Sequence, residues 1–148
     1  MQSLQERYFP GMTCFGCGPG NPDGLHLQSF ASDGGTRATF RAWPQHDNGL
    51  GYVNGGIIST VLDCHSITPL MTYADAHGLL AAPGTLPFVT AGLDIRFVRP
   101  TPLGPELSLW ATIDSVNDDE AFIEVELSHD DKVRATARAH WKRWRPRG

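Results

Sequence analysis

The chain has 148 residues, 41% of them hydrophobic and 19% charged, which suits one compact domain with its own core rather than two. Its net charge of −4 gives no general attraction to nucleic acid or to an anionic membrane, so a polyanionic ligand would need a local basic cluster. No apolar run reaches the ~18 residues of a membrane span, the opening MQSLQERYFP lacks the apolar centre of a secretory signal, and three cysteines are too few for a disulfide framework. A cytoplasmic protein is expected, with neither nucleic acid nor membrane as a partner.

Residues 1–24 are punctuated by Pro and Gly and read as an N-terminal arm with a folded loop and a short helical turn near Gln2 to Arg7. Residues 25–148 read as a single domain. Cys14-x-x-Cys17 invites a zinc or redox reading, but a zinc set needs two more ligands and no second pair follows at a suitable spacing, so a structural loop with buried thiols is expected and no metal. From His26 to Ala42 the chain alternates, Ala38, Phe40 and Ala42 against Arg37, Thr39 and Arg41, across an Asp33-Gly34-Gly35 turn; this predicts a β-hairpin. Trp43 to Gly49 is then a loop in which His46 and Asp47 are either solvated or part of a site.

The centre of the chain is Asn48 to Ser66. Ile57, Ile58, Val61 and Leu62 form the stripe of a helix on a core, which should begin near Gly55 or Gly56 and run towards His77, with Pro69 kinking or dividing it near His65. Two glycines at a helix N-terminus leave backbone N–H groups open to a ligand oxygen, which makes an oxyanion site possible. Asp63 lies nine positions past Asn54, on the opposite side of the helix and roughly 13 Å along its axis. One subunit therefore cannot easily aim both at one substrate, whereas a two-fold dimer with antiparallel helices could. Asp63 and His65, two positions apart, do not face each other, and Ser59 sits in no nucleophile elbow. Cys64 reads as a small apolar helix residue, and His65 as either a core histidine or part of an acyl pocket.

After a loop at Ala81 to Gly84 come four strand-like stretches, with Leu93, Ile95 and Phe97, then Leu107 to Ile113, Ala121 to Ser128, and Val133 to Ala139. Short turns separate them and predict antiparallel pairing. Two strands, a long helix and four strands make an α+β fold in which a curved antiparallel sheet wraps round one central helix. The C-terminal run Lys142 to Arg147 is the densest basic cluster, and Arg96 and Arg99 add charge to one strand.

The pattern N-G-G-x6-D, preceded by Cys14-Phe15-Gly16-Cys17-Gly18 and Asn21-Pro22-x-Gly24-Leu25 and followed by Thr90 to Pro100, resembles the hotdog-fold acyl-CoA thioesterases of the PaaI-like group over about Cys14 to Trp144. The usual triplet there is His-Gly-Gly, and Asn54 departs from it. The resemblance implies a homodimer or tetramer with no cofactor beyond the coenzyme A of its acyl-CoA substrate. It assigns oxyanion binding to Gly55 with Asn54 assisting, attack or water activation to Asp63 of the opposing subunit, and water or carbonyl placement to Asn48 and Thr90. Gly56 and His65 would border the substrate, and Arg96 and Arg99 could hold the nucleotide phosphates. Two other readings remain: a hotdog protein that binds acyl-CoA without cleaving it, for which Asn54 is the argument, and a metal or redox module on Cys14 and Cys17. A hydratase would carry an Asp-x4-His spacing, which this chain lacks.

Overall fold

The computed structural model describes residues 1–80 and 85–145. The predicted loop at Ala81 to Gly84 and the tip of the basic tail at Pro146 and Arg147 lie outside the described residues.

Chain order gives α1 (Leu4–Tyr8), β1 (Ser29–Ser32), β2 (Gly35–Arg41), α2 (Gly55–Ser66), α3 (Thr68–Ala76), β3 (Phe88–Phe97), β4 (Glu106–Val116), β5 (Glu120–His129) and β6 (Lys132–Arg143). The strands form one six-stranded sheet in the order β1-β2-β4-β5-β6-β3, antiparallel at every pairing. The β1–β2 hairpin turns at Asp33-Gly34, where Gly34 takes φ of 81°. Only a residue without Cβ adopts that conformation cheaply.

The curved sheet wraps the α2–α3 helix, which is the α+β hotdog arrangement expected from the sequence. Along α2 the buried stripe is Ile58, Val61, Leu62 and His65, the i, i+3, i+4, i+7 spacing of a helix lying on a core. It packs on Leu107, Leu109, Ile123 and Leu127 of the middle strands, all close to fully buried. Removing any one of these leucines would cost about 2–5 kcal/mol, by the usual large-to-small scale.

The helix divides at Ile67, two residues later than expected. Pro69 sits in the first turn of α3, where its fixed backbone angle suits a helix start. The carbonyl Pro69 cannot serve, that of His65, accepts instead from Thr68 Oγ1 at 2.7 Å. Ile67 keeps a right-handed helical backbone, so α3 continues α2 as one long central element.

The N-terminal arm is built into the domain. Leu4, Phe9 and Cys17 belong to the same buried cluster as the helix and sheet, and the Gln5 side chain bonds the backbone N–H and hydroxyl of Ser29. Among the described residues no helix is long and apolar enough to cross a membrane.

Strand β3 lies at one edge of the sheet and carries a bulge. Thr90 pairs with Trp141 and Gly92 with His140, so Ala91 is an extra residue between two in-register segments.

Candidate active site

The start of α2 can be accounted for donor by donor. Asn54 is the N-cap, and its Oδ1 accepts from Gly56 N–H at 2.8 Å and Ile57 N–H at 3.3 Å. Its own N–H donates to His46 O at 2.7 Å, and its carbonyl accepts from Ile58 N–H at 3.1 Å. Gly55 N–H is left without an acceptor among the described residues. Gly55 lines a groove of about 460 Å³ together with Asn48, Ile58, Phe97, Arg99 and Thr101. The helix dipole adds positive potential at that donor, so a developing oxyanion would find there one unpaired N–H in partial positive field.

His46 organises the approach to this point. It is buried, stacks on Trp43 at 4.9 Å between ring centroids, and accepts the Trp43 N–H on Nδ1 at 2.9 Å. Burial pushes its pKa down, which suits a ring that must keep an acceptor nitrogen. The following loop binds itself: Asp47 Oδ1 accepts from Gly51 N–H at 2.8 Å, and Asn48 Oδ1 from Leu50 N–H at 2.8 Å. Asn48 lines the groove with its Oδ1 already engaged in the loop. The positioning roles of His46 and Asp47 were open in the sequence, since their partners lie in loop geometry that no periodicity encodes.

Arg99 is the cation of the groove. Its guanidinium donates to Val133 O at 2.8 Å while its chain borders the cavity. Arg96 lies outside it, 77% exposed and 3.8 Å from Asp94. Thr101 Oγ1 is buried at the groove and has no partner among the described residues.

Asp63 lies elsewhere on α2 and does not border this groove. It is half-buried, and Thr90 donates to its Oδ1 at 2.9 Å, leaving Oδ2 available. Burial raises its pKa, the Thr90 hydrogen bond works against that, and nearby Cys14 adds to the rise. A carboxylate raised towards neutrality is a stronger base for water than an ordinary one.

The structure therefore joins Asp63 to Thr90, and gathers Gly55, Asn48 and Arg99 around one groove, at two separate places. Two residues expected to border the substrate are engaged within the fold. Gly56 cannot offer its N–H, because Asn54 Oδ1 already holds it. His65 is fully buried, with Nδ1 at 2.9 Å from Ser29 Oγ and Nε2 at 3.1 Å from Thr36 O, and burial pushes its pKa down to about 4. It is a core residue tying helix to hairpin.

Beneath Asp63, Cys14 and Cys17 of the arm meet Cys64 of α2, with all three sulfurs within 4.8 Å of one another. Hydrogen bonds from the Cys17 and Cys64 side chains hold Cys14 well below the usual thiol range, and those same contacts with burial push Cys64 up. The sequence paired Cys14 with Cys17 and missed Cys64, 50 positions away.

A curved antiparallel sheet around a central helix that carries a half-buried aspartate is the architecture of the PaaI-like hotdog thioesterases, and Asn54 is the departure from their usual His-Gly-Gly. The family model of the Thioesterase superfamily matches residues 50–136, and the chain belongs to that family. Among solved structures it is similar to a phenylacetic acid degradation-related protein of Ralstonia eutropha JMP134, with 25% identity and a TM-score of 0.66 over 80% of this chain and 85% of that one. A thioesterase superfamily protein of Shewanella loihica PV-4 gives 28% identity and 0.65 over 80% and 91%. The E. coli PaaI protein, at 21% identity and 0.64 over 80% and 84%, shares the fold. No curated protein matches the chain in sequence.

Proposed function

We propose that the protein hydrolyses acyl-CoA thioesters at a site completed across a two-fold dimer, in the cytoplasm and without a cofactor in the reaction. The observation that carries this is the Gly55 N–H at the start of α2, without a partner among the described residues, on a residue that lines a groove where Arg99 is the cation among the described residues. Coenzyme A phosphates suit that guanidinium, and a thioester carbonyl suits that donor.

Asp63 belongs to the second half-site, and its proper partner is the Gly55 groove of another copy. The sheet supports such pairing. β3 is a ten-residue edge strand carrying exposed Val89 and Phe97, whereas the opposite edge, β1, has four residues. A long unpaired edge with apolar side chains is a liability unless another strand covers it, and two copies joined there would bring their α2 helices side by side.

In the reaction, ionised Asp63 takes a proton from water on its free Oδ2 while Thr90 holds Oδ1. The water oxygen adds to the thioester carbonyl carbon, and the carbonyl oxygen, now negative, accepts the Gly55 N–H. Collapse of the adduct breaks the C–S bond, releasing the acid and the coenzyme A thiolate. The thioester is reactive enough for a base and one oxyanion donor to suffice.

The test is thiol release from short, medium, long and aromatic acyl-CoAs, wild type beside Asp63→Asn. Release that falls at least ~100-fold in the variant supports the reading, that being the low end for losing a general base. Binding without release from any substrate would make the chain an acyl-CoA binder instead.

A further inference from the structure

The expectation that Cys14 and Cys17 hold no metal rested on missing ligands, and folding supplies a third. Cys64 Sγ stands 3.7 Å from Cys14 Sγ, and Cys17 Sγ closes a triangle in which no edge exceeds 4.8 Å. Four thiolate positions around zinc at ~2.3 Å lie about 3.8 Å apart by tetrahedral geometry. The Cys14–Cys64 separation matches that value.

The loop around the cysteines is shaped to this end. Gly18 N–H donates to Cys14 O at 2.8 Å, closing a tight turn that brings Cys14 and Cys17 together. A Cβ on Gly16 would overlap Cys64 Sγ, and one on Gly18 would overlap the Cys14 backbone, so the two glycines let loop and helix close on one point. Cys17 and Cys64 are buried, and Cys14 is partly open to solvent. Simple apolar packing of three thiols needs neither the turn nor the two glycines that let the sulfurs meet.

We propose that Cys14, Cys17 and Cys64 form a zinc site, with solvent in the fourth position. On binding, three S–H bonds are lost, three Zn–S bonds form and three protons pass to solvent; no sulfur is oxidised. The ion would clamp the N-terminal arm to α2 beside Asp63, a structural role independent of thioester cleavage.

The test is elemental analysis of reduced protein purified without chelator, then reloading of the apo form with Zn²⁺ and, separately, Cu⁺ and Co²⁺. About one zinc per chain is expected, with a thermal midpoint raised by zinc, as for other structural sites in which metal binding is coupled to folding. Cobalt should give thiolate-to-metal charge transfer and strong visible bands of a tetrahedral ion. Cys14→Ser and Cys64→Ser should each lower zinc content at least ~10-fold, the scale of losing a metal-site partner. If a variant fails to fold, the cobalt spectrum of wild type still decides. Overturning results are reduced wild type that takes up no zinc while its thiols react freely, uptake of Cu⁺ alone, or zinc content unchanged in folded Cys14→Ser. Thiol release from acyl-CoA is scored separately, so failure of either reading leaves the other standing.

Discussion

Replacing Asn54 separates the two jobs at the start of α2. In Asn54→Ala the N–H groups of Gly56 and Ile57 lose the oxygen they share at 2.8 and 3.3 Å. Both donors are near solvent, so the loss should sit near the middle of the usual range for a cap, about 1 kcal/mol. For a domain of this size that is about 2–4 °C in thermal midpoint. Asn54→Asp keeps the capping oxygen and adds charge complementary to the helix dipole, a gain of about 0.3–1 kcal/mol. The same carboxylate stands beside Gly55 N–H, where oxyanion charge should develop. At ~6 Å and an effective dielectric constant of ~20 the repulsion is about 3 kcal/mol, on the order of 100-fold in kcat/KM. Urea denaturation and acyl-CoA hydrolysis on the three proteins check this. The Asp variant should be at least as stable as wild type and the poorest catalyst, and the Ala variant less stable and closer to wild type in rate. An Asp variant with full activity would refute Gly55 as the oxyanion donor, and one as unstable as Ala would refute the capping account.

Thr90→Val removes the donor to Asp63 Oδ1 with little change in shape; kcat should fall about 10-fold or more with KM held, checked by steady-state kinetics. Arg99→Ala should raise KM for acyl-CoA more than it lowers kcat, whereas Arg96→Ala, outside the groove, should change neither. His46 has a folded pKa below its ordinary value of 6.5, so its neutral form is the stable one in the fold. Its contribution is complete above about 6.5 and is lost as pH falls through the folded value. Thermal midpoints from pH 7.5 to 5 should therefore decline less steeply in His46→Leu, which starts less stable because the Trp43 N–H loses its acceptor.

Periodicity carried most of the architecture. The alternation of Ala38, Phe40 and Ala42 and the spacing of Ile58, Val61 and Leu62 each report which side of an element is buried, and burial is what decides the element. The division of the helix was legible from Pro69, though its position was not, because Thr68 shifts the cost by serving the His65 carbonyl. Asp63 stood out as a carboxylate in an apolar run. Gly56 and His65 did not show their true roles, since whether an N–H or an imidazole is free depends on a partner chosen by the fold: Asn54 two positions back in one case, Ser29 and Thr36 across the core in the other. Cys64 was missed for the same reason, as a contact across 50 positions leaves no local trace.

The extra residue at Ala91 has a meaning for the two half-sites. Thr90 reaches Asp63, and Phe97 stands against Gly55, where its ring would lie 3.5 Å from an added Cβ. An even-numbered and an odd-numbered residue of one strand thus face the same helix, which a strictly alternating strand forbids. Ala91 changes the parity between them. It adds no side-chain chemistry, yet it is the phase shift that lets one edge strand meet Asp63 and Gly55 together; a chain shortened by that single alanine could keep its sheet and turn one of the two contacts away.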